Sequence, residues 1–167
     1  MNYQNITKYD MLNGEGLRTV LWVSGCEHHC KGCQNPQTWD KNSGIEFDFK
    51  ALAELMESLK NDDINGVTFS GGDPLATFNR NFITVIARLI KTFYPNKTIW
   101  VYSGYKYEDI AHLEVMKFVD VLVDGEFNQE NREHNPNVKW RGDDSQRIID
   151  VVKSRETGQI VERKDLY

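Results

Sequence analysis

Outside residues 26 to 33 this 167-residue chain has no cysteine; the three it has stand together in "CEHHCKGC". Disulfides between distant segments are thereby excluded, and thiols gathered in this way point to metal binding or catalysis. No apolar run approaches the roughly 20 residues of a membrane span. The opening "MNYQNITKYDMLNGEG" lacks both the basic start and the apolar core of a secretion signal, so a cytoplasmic protein with no membrane contact is expected. Excess positive charge is missing too. A net charge of −5 gives no general attraction to nucleic acid, and no nucleic-acid partner is expected. Low-complexity tracts and long linkers are absent, so residues 1–167 should form one domain. No acid/base pair, nucleophilic triad or phosphate loop stands out; "NGEG" carries little more than the glycines of one.

What is present is a regular alternation. "RTVLWVS" (18 to 24), "GVTFS" (66 to 70), "TIWVYS" (98 to 103) and "VDVLVD" (119 to 124) are short, apolar and rich in β-branched residues, as buried parallel strands are. Between them run helical periods. Leu52, Leu55, Met56 and Leu59 form one stripe, while Phe82, Val85, Ile86, Leu89, Ile90 and Phe93 form a longer one; both are expected to face the core. A weaker helix is expected at about 107 to 118, with Glu108 and Asp109 in its first turn. This βαβαβαβ order implies an α/β fold of mostly parallel strands with right-handed crossovers, either an open sheet or an incomplete (β/α) barrel. The polar tail from about 143 to 167 should add a terminal hairpin or edge, from "RIIDVV" (147 to 152) and a return at "GQIVE" (158 to 162).

Each of the four strands ends in a small residue and a glycine: Ser24-Gly25, Ser70-Gly71-Gly72, Ser103-Gly104 and Asp124-Gly125. One such turn needs no function, since glycine suits any sharp turn. Four in succession mark the carboxyl ends of the strands, where parallel α/β folds place their sites. The cysteine loop is the first of them.

Cys26, Cys30 and Cys33, spaced C-x3-C-x2-C, could bind zinc, hold an iron–sulfur cluster or exchange disulfides. His28 and His29 sit between two of the cysteines, where a zinc chelate would have to fold back sharply, and His112 and His134 carry no ligand spacing and read as surface residues. A four-iron cluster held by three thiolates keeps one iron open for a ligand. In "SGGDP" (70 to 74), Gly71 and Gly72 expose backbone, Asp73 can accept from an ammonium and Pro74 fixes the turn; alternatively Asp73 and Pro74 simply begin the next helix, as N-cap and first residue.

These two motifs resemble those of the radical S-adenosylmethionine family. The resemblance implies a 4Fe-4S cluster on Cys26, Cys30 and Cys33, with S-adenosyl-L-methionine chelating the open iron and cleaved by reduction to a 5′-deoxyadenosyl radical, the work of an oxidoreductase. It implies further that Gly71, Gly72, Asp73 and Pro74 receive the methionine amino group, that Gly32 and Gln34 line the adenine side, and that Ser103 and Asp124 contact ribose or carboxylate. The family's usual aromatic residue before the third cysteine is replaced by Gly32, so the adenine contact would be made through backbone. Within the family, "NGEGLRTVLWVSGC", "CQNPQTW", "TFSGGDPL", "YSGYKYEDI", "VDVLVDGEF" and "WRGDDSQR" are similar, in the same order, to the activases of anaerobic ribonucleotide reductases. That likeness implies two partners: the glycyl-radical subunit of an anaerobic ribonucleoside-triphosphate reductase, and a low-potential electron donor such as a flavodoxin. Other readings stay open here: activation of another glycyl-radical enzyme, remodelling of a purine-like ring, an iron–sulfur electron carrier, or a zinc-binding module. "KWRGDDSQR" (139 to 147) reads either as a solvated loop or as a segment that docks a partner or shapes the site entrance.

Overall fold

The computed structural model describes residues 1–132 and 139–166. In chain order they form β1 (Asn2–Asp10), β2 (Leu17–Val23), β3 (Ile45–Glu46), α1 (Phe49–Ser58), β4 (Ile64–Gly71), α2 (Arg80–Phe93), β5 (Thr98–Ser103), α3 (Tyr107–Ile110), β6 (Val121–Asp124), β7 (Arg147–Asp150) and α4 (Val151–Thr157). The strands make one open sheet in the order β3-β1-β2-β4-β5-β6-β7. Its middle, β2 to β6, is parallel; β1, β3 and β7 are antiparallel additions at the edges. The four strands of the repeating sequence pattern are thus the parallel ones, and the strand expected from 147 is the antiparallel β7. Among the described residues no helix is long and apolar enough to cross a membrane.

Alternation along the strands sorts side chains onto two faces. Val67, Phe69, Ile99, Val101 and Leu122 meet the helices in the main core, together with Leu55 and Leu59 of α1, Ile83, Ile86, Ala87 and Ile90 of α2, and Tyr107 and Ile110 of α3. Trp100, Val121, Val123 and Ile148 face the other way and are covered by Trp140 and by Leu166 of the 3-10 turn at Lys164–Leu166. On that second face Arg18, fully buried, donates to Thr68 Oγ1 (2.7 Å), Val67 O (2.7 Å) and Thr98 O (3.0 Å) and stacks on Trp100. Burial pulls its pKa down to about 10, yet these donors are all used, so the buried charge is tolerated.

Three expectations need correcting. In α2 the core face is Ile83, Ile86, Ala87 and Ile90; Phe82, Val85 and Phe93 are exposed. This helix has more apolar residues than one face can bury, and Phe82 and Val85 instead line an apolar groove with Phe47, Phe49 and Leu52. The helix expected over 107 to 118 is a single turn, α3, followed by a 3-10 turn at Glu114–Lys117. The strand at 147 to 152 stops at Asp150, whose side chain caps α4 by accepting from Lys153 N (2.9 Å), with Gly158 in the left-handed conformation closing the helix. The return strand survives as one bridge, Ile149 to Glu162.

The end of β6 is fixed by charge. Asp124, buried, accepts from Arg147 Nε (3.0 Å) and from the N–H of Tyr107 (2.8 Å) at the start of α3, while Arg147 also grips Glu108 through two bonds of 2.9 and 2.7 Å. Removing the arginine strands a buried carboxylate. Arg147→Met should lower stability by roughly 2–3 kcal/mol in urea unfolding, and adding Asp124→Asn should return part of that loss. The Arg147 hydrogen bonds hold the Glu108 carboxyl down at about 2, against an ordinary 4.5. A depressed carboxylate stabilises above its unfolded-state pKa and loses that contribution as pH falls through the folded value. Glu108→Gln should therefore flatten the fall in melting temperature between about pH 4.5 and about pH 2.

Candidate functional site

The site grows from the carboxyl ends of β2 and β4. Their parallel register sets Val23 opposite Gly71, and the pairing continues past the strands: Gly72 N–H donates to Val23 O (2.8 Å) and Asp73 N–H to Gly25 O (2.8 Å). The backbones are so close that a Cβ on Gly72 would lie 2.4 Å from Gly25 O, while Gly71 has φ +104°. These glycines are required by the protein's own backbone. From Gly25 the cysteine loop leans on the next segment, with Gly25 N–H on Thr38 O (2.6 Å) and Cys26 N–H on Trp39 O (3.1 Å). It then reverses through two left-handed residues, His29 (φ +50°) and Gly32 (φ +76°).

The result is a cavity of about 390 Å³, on whose wall Cys26, Cys30, Cys33 and Gln34 meet Gly71, Gly72, Asp73 and Ser103. Three of the expected residues lie off that wall. Pro74 is buried in the turn; Gly32 is exposed and is a glycine because of its positive φ; Asp124 is buried with its oxygens committed to Arg147 and Tyr107. Nor does Asp73 begin a helix: α2 starts six residues after Pro74, and Asp73 caps a separate turn by accepting from Leu75 N (2.8 Å). Asn79, ahead of α2, ties this turn to β2 by donating to Ser24 O (2.9 Å) and Asp73 O (3.0 Å).

Other residues on the wall were not legible as site residues. Trp22 and Tyr102 come from strand interiors, Asn13 from the loop between β1 and β2, and Phe127 from beyond β6. Gly142 and Gln146 belong to the 139–147 segment, which therefore shapes this cavity. His28 has poor spacing for a zinc chelate, yet its side chain is 10% exposed and bridges Asp73 Oδ2 (2.9 Å) and Glu126 Oε1 (3.1 Å). Its hydrogen bond to Asp73 outweighs burial and raises its pKa. The one available signal was its place between two cysteines. His112 is exposed; His134 lies outside the described residues.

The three cysteines are free and half-buried, and burial pushes the Cys26 and Cys30 thiols up. Asn35 N–H donates to Cys33 Sγ (3.3 Å). Soft sulfur donors from one short loop, facing one open cavity, suit an iron–sulfur cluster. Trp39, whose ring packs on His29 of the loop, has a buried indole N–H without a partner.

Comparison with known proteins agrees with this donor set. Residues 12–149 match the sequence model of the 4Fe-4S single cluster domain, which defines the class. Within that class the similarity is narrower. The chain is 43% identical over 149 residues to the anaerobic ribonucleoside-triphosphate reductase-activating protein of Enterobacteria phage T4, covering 89% of this chain and 93% of the phage protein. Proteins of the same name are 39% identical in Haemophilus influenzae, over 89% of this chain and 97% of theirs, and 39% identical in Escherichia coli K12, over 87% and 96%. The chain belongs to the family of anaerobic ribonucleoside-triphosphate reductase-activating proteins.

Because the cysteine loop and the SGGDP turn share backbone hydrogen bonds, damage to one should reach the other. Gly72→Ala should lower stability by about 1–3 kcal/mol, as overpacking does, and lower the iron content after anaerobic reconstitution. Full iron and parental melting temperature in this variant would show that the two turns are independent.

Proposed function

We propose that this protein activates anaerobic ribonucleoside-triphosphate reductase by generating a glycyl radical on its glycyl-radical subunit. The observation that carries the reading is the cavity in which three free thiols face a glycine-rich strand end across open space. Cys26, Cys30 and Cys33 would hold a 4Fe-4S cluster through three of its four irons. When bound, the cluster supplies the electron for reductive cleavage of S-adenosyl-L-methionine, a chemistry that belongs to the cofactors. The protein binds, orients and keeps water out.

In this reading the backbone at Gly71 and Gly72 and the hydroxyl of Ser103 border the methionine end, and Gln34 the adenine end. Asp73 contributes indirectly. Its carboxylate already accepts from Leu75 N, Ser103 Oγ, Gly104 N and His28, so it shapes the turn and leaves the ammonium to backbone groups. Gly32, Pro74 and Asp124 support the fold of the site from behind its wall. The open sheet, with α1, α2 and α3 packed on one face, supports an incomplete barrel of the radical S-adenosylmethionine type, whose unclosed side admits a protein segment. A low-potential donor such as a flavodoxin would reduce the cluster, in the reducing cytoplasm.

Anaerobic reconstitution should give about four irons and four sulfides per chain. Replacing any one of Cys26, Cys30 or Cys33 by alanine should abolish both cluster and activity. Mixed with reductant, S-adenosyl-L-methionine and an anaerobic reductase, the protein should produce a glycyl doublet on the reductase by electron paramagnetic resonance. Stoichiometric zinc without sulfide, or turnover of a small molecule with no radical on a competent reductase, would overturn the proposal.

A further inference from the structure

His28 lies inside the C-x3-C stretch but touches three other parts of the chain. Nε2 lies 2.9 Å from an Asp73 oxygen in the turn after β4, and because a carboxylate can only accept, Nε2 is the donor there; Nδ1 lies 3.1 Å from a Glu126 oxygen in the segment after β6. The third contact is with the turn after β5. Gly104 N–H donates to the same Asp73 oxygen (3.0 Å), and a Cβ on Gly104 would stand 2.4 Å from the imidazole, so the ring is seated directly on that glycine. Tyr105 closes the stack edge-on, with ring centroids 4.6 Å apart, and its hydroxyl donates to Glu27 of the cysteine loop (2.5 Å).

We propose that His28 is a positioning residue: its hydrogen bond to Asp73 holds the cysteine loop in register with the SGGDP turn. The other donors to the Asp73 carboxylate come from Leu75, Ser103 and Gly104, so His28 is the donor that the cysteine loop itself contributes. The backbone bonds at Val23 and Gly25 anchor where the loop begins. His28 anchors it between the first and second cysteines. A ligand that must touch both the cysteine side and the glycine side of the cavity depends on that register, and small displacements of a positioning group are costly. Glu126, with its side chain 64% exposed, is the weaker arm.

This inference rests on the functional reading above, and the test separates the two. His28→Ala, His28→Gln and Gly104→Ala would be reconstituted anaerobically beside the parent and titrated with S-adenosyl-L-methionine by calorimetry and by the resonance of the reduced cluster. His28→Ala should keep the parental iron and sulfide, bind about tenfold more weakly and show a smaller spectral response to the ligand. His28→Gln, whose amide N–H can take the place of Nε2–H, should recover affinity to within about threefold of the parent. Gly104→Ala, which displaces the ring without altering the loop, should behave as His28→Ala does. Parental affinity and spectral response in His28→Ala would overturn the inference. So would loss of iron along with affinity, which marks a merely structural role, or a glutamine variant no better than alanine. A parent that holds no cluster or binds no S-adenosyl-L-methionine sinks the functional reading itself, and this inference with it.

Discussion

Parallel pairing of β2 with β4 is the constraint on which the site depends. Two strands that run side by side in the same direction end side by side, so the loop after one must begin against the loop after the other. Here the pairing runs on beyond the strands, through Gly72 N–H to Val23 O and Asp73 N–H to Gly25 O, and no side chain fits at Gly72. The cysteines and the SGGDP turn are thus brought together by the sheet. β5 and β6 extend the same edge and add Ser103 and Gly125 to the cavity wall.

Buried charge then fixes what the sheet has placed. Asp73 organises the turn after β4, and Asp124 locks β6 to β7 and to α3 through Arg147 and Tyr107. Asp143 does the same for the loop that covers one side of the cavity, accepting from Asn128 N (3.0 Å) and Ser145 N (2.8 Å). At the opposite end of the strands Arg18 joins β2, β4 and β5 through its guanidinium. Each group is buried and each is satisfied, the condition under which buried polar groups rigidify a structure and do not weaken it.

The sequence made the parallel strands and the cysteine loop readable because both depend on local pattern: short β-branched runs for one, thiol spacing for the other. It also pointed to the cavity through Gly71, Gly72 and Ser103 at successive strand ends. What it hid depends on tertiary contact. β1 buries only Tyr3 and Ile6 among polar residues and has no alternation to detect. Val151 and Val152 look like the end of a strand, but capping by Asp150 starts a helix there, a case of local hydrogen bonding overriding β propensity. Phe82 and Val85 continue a helical period onto a face that the sheet does not reach. His28 and Gln146 lie in segments that the sequence singled out, but their individual contacts follow from no motif, and Asp124, at a strand end like Ser103, is committed to an arginine 23 residues away.

The central claim is that one cavity holds both a cluster on the three cysteines and the amino-acid end of S-adenosyl-L-methionine. The most direct measurement is electron–nuclear double resonance on the reduced, reconstituted protein, with the ligand carrying nitrogen-15 in its amino group. The account predicts a hyperfine coupling between that nitrogen and the cluster, present in the parent and absent without ligand. Saturating ligand with no nitrogen coupling would place the molecule elsewhere and contradict it.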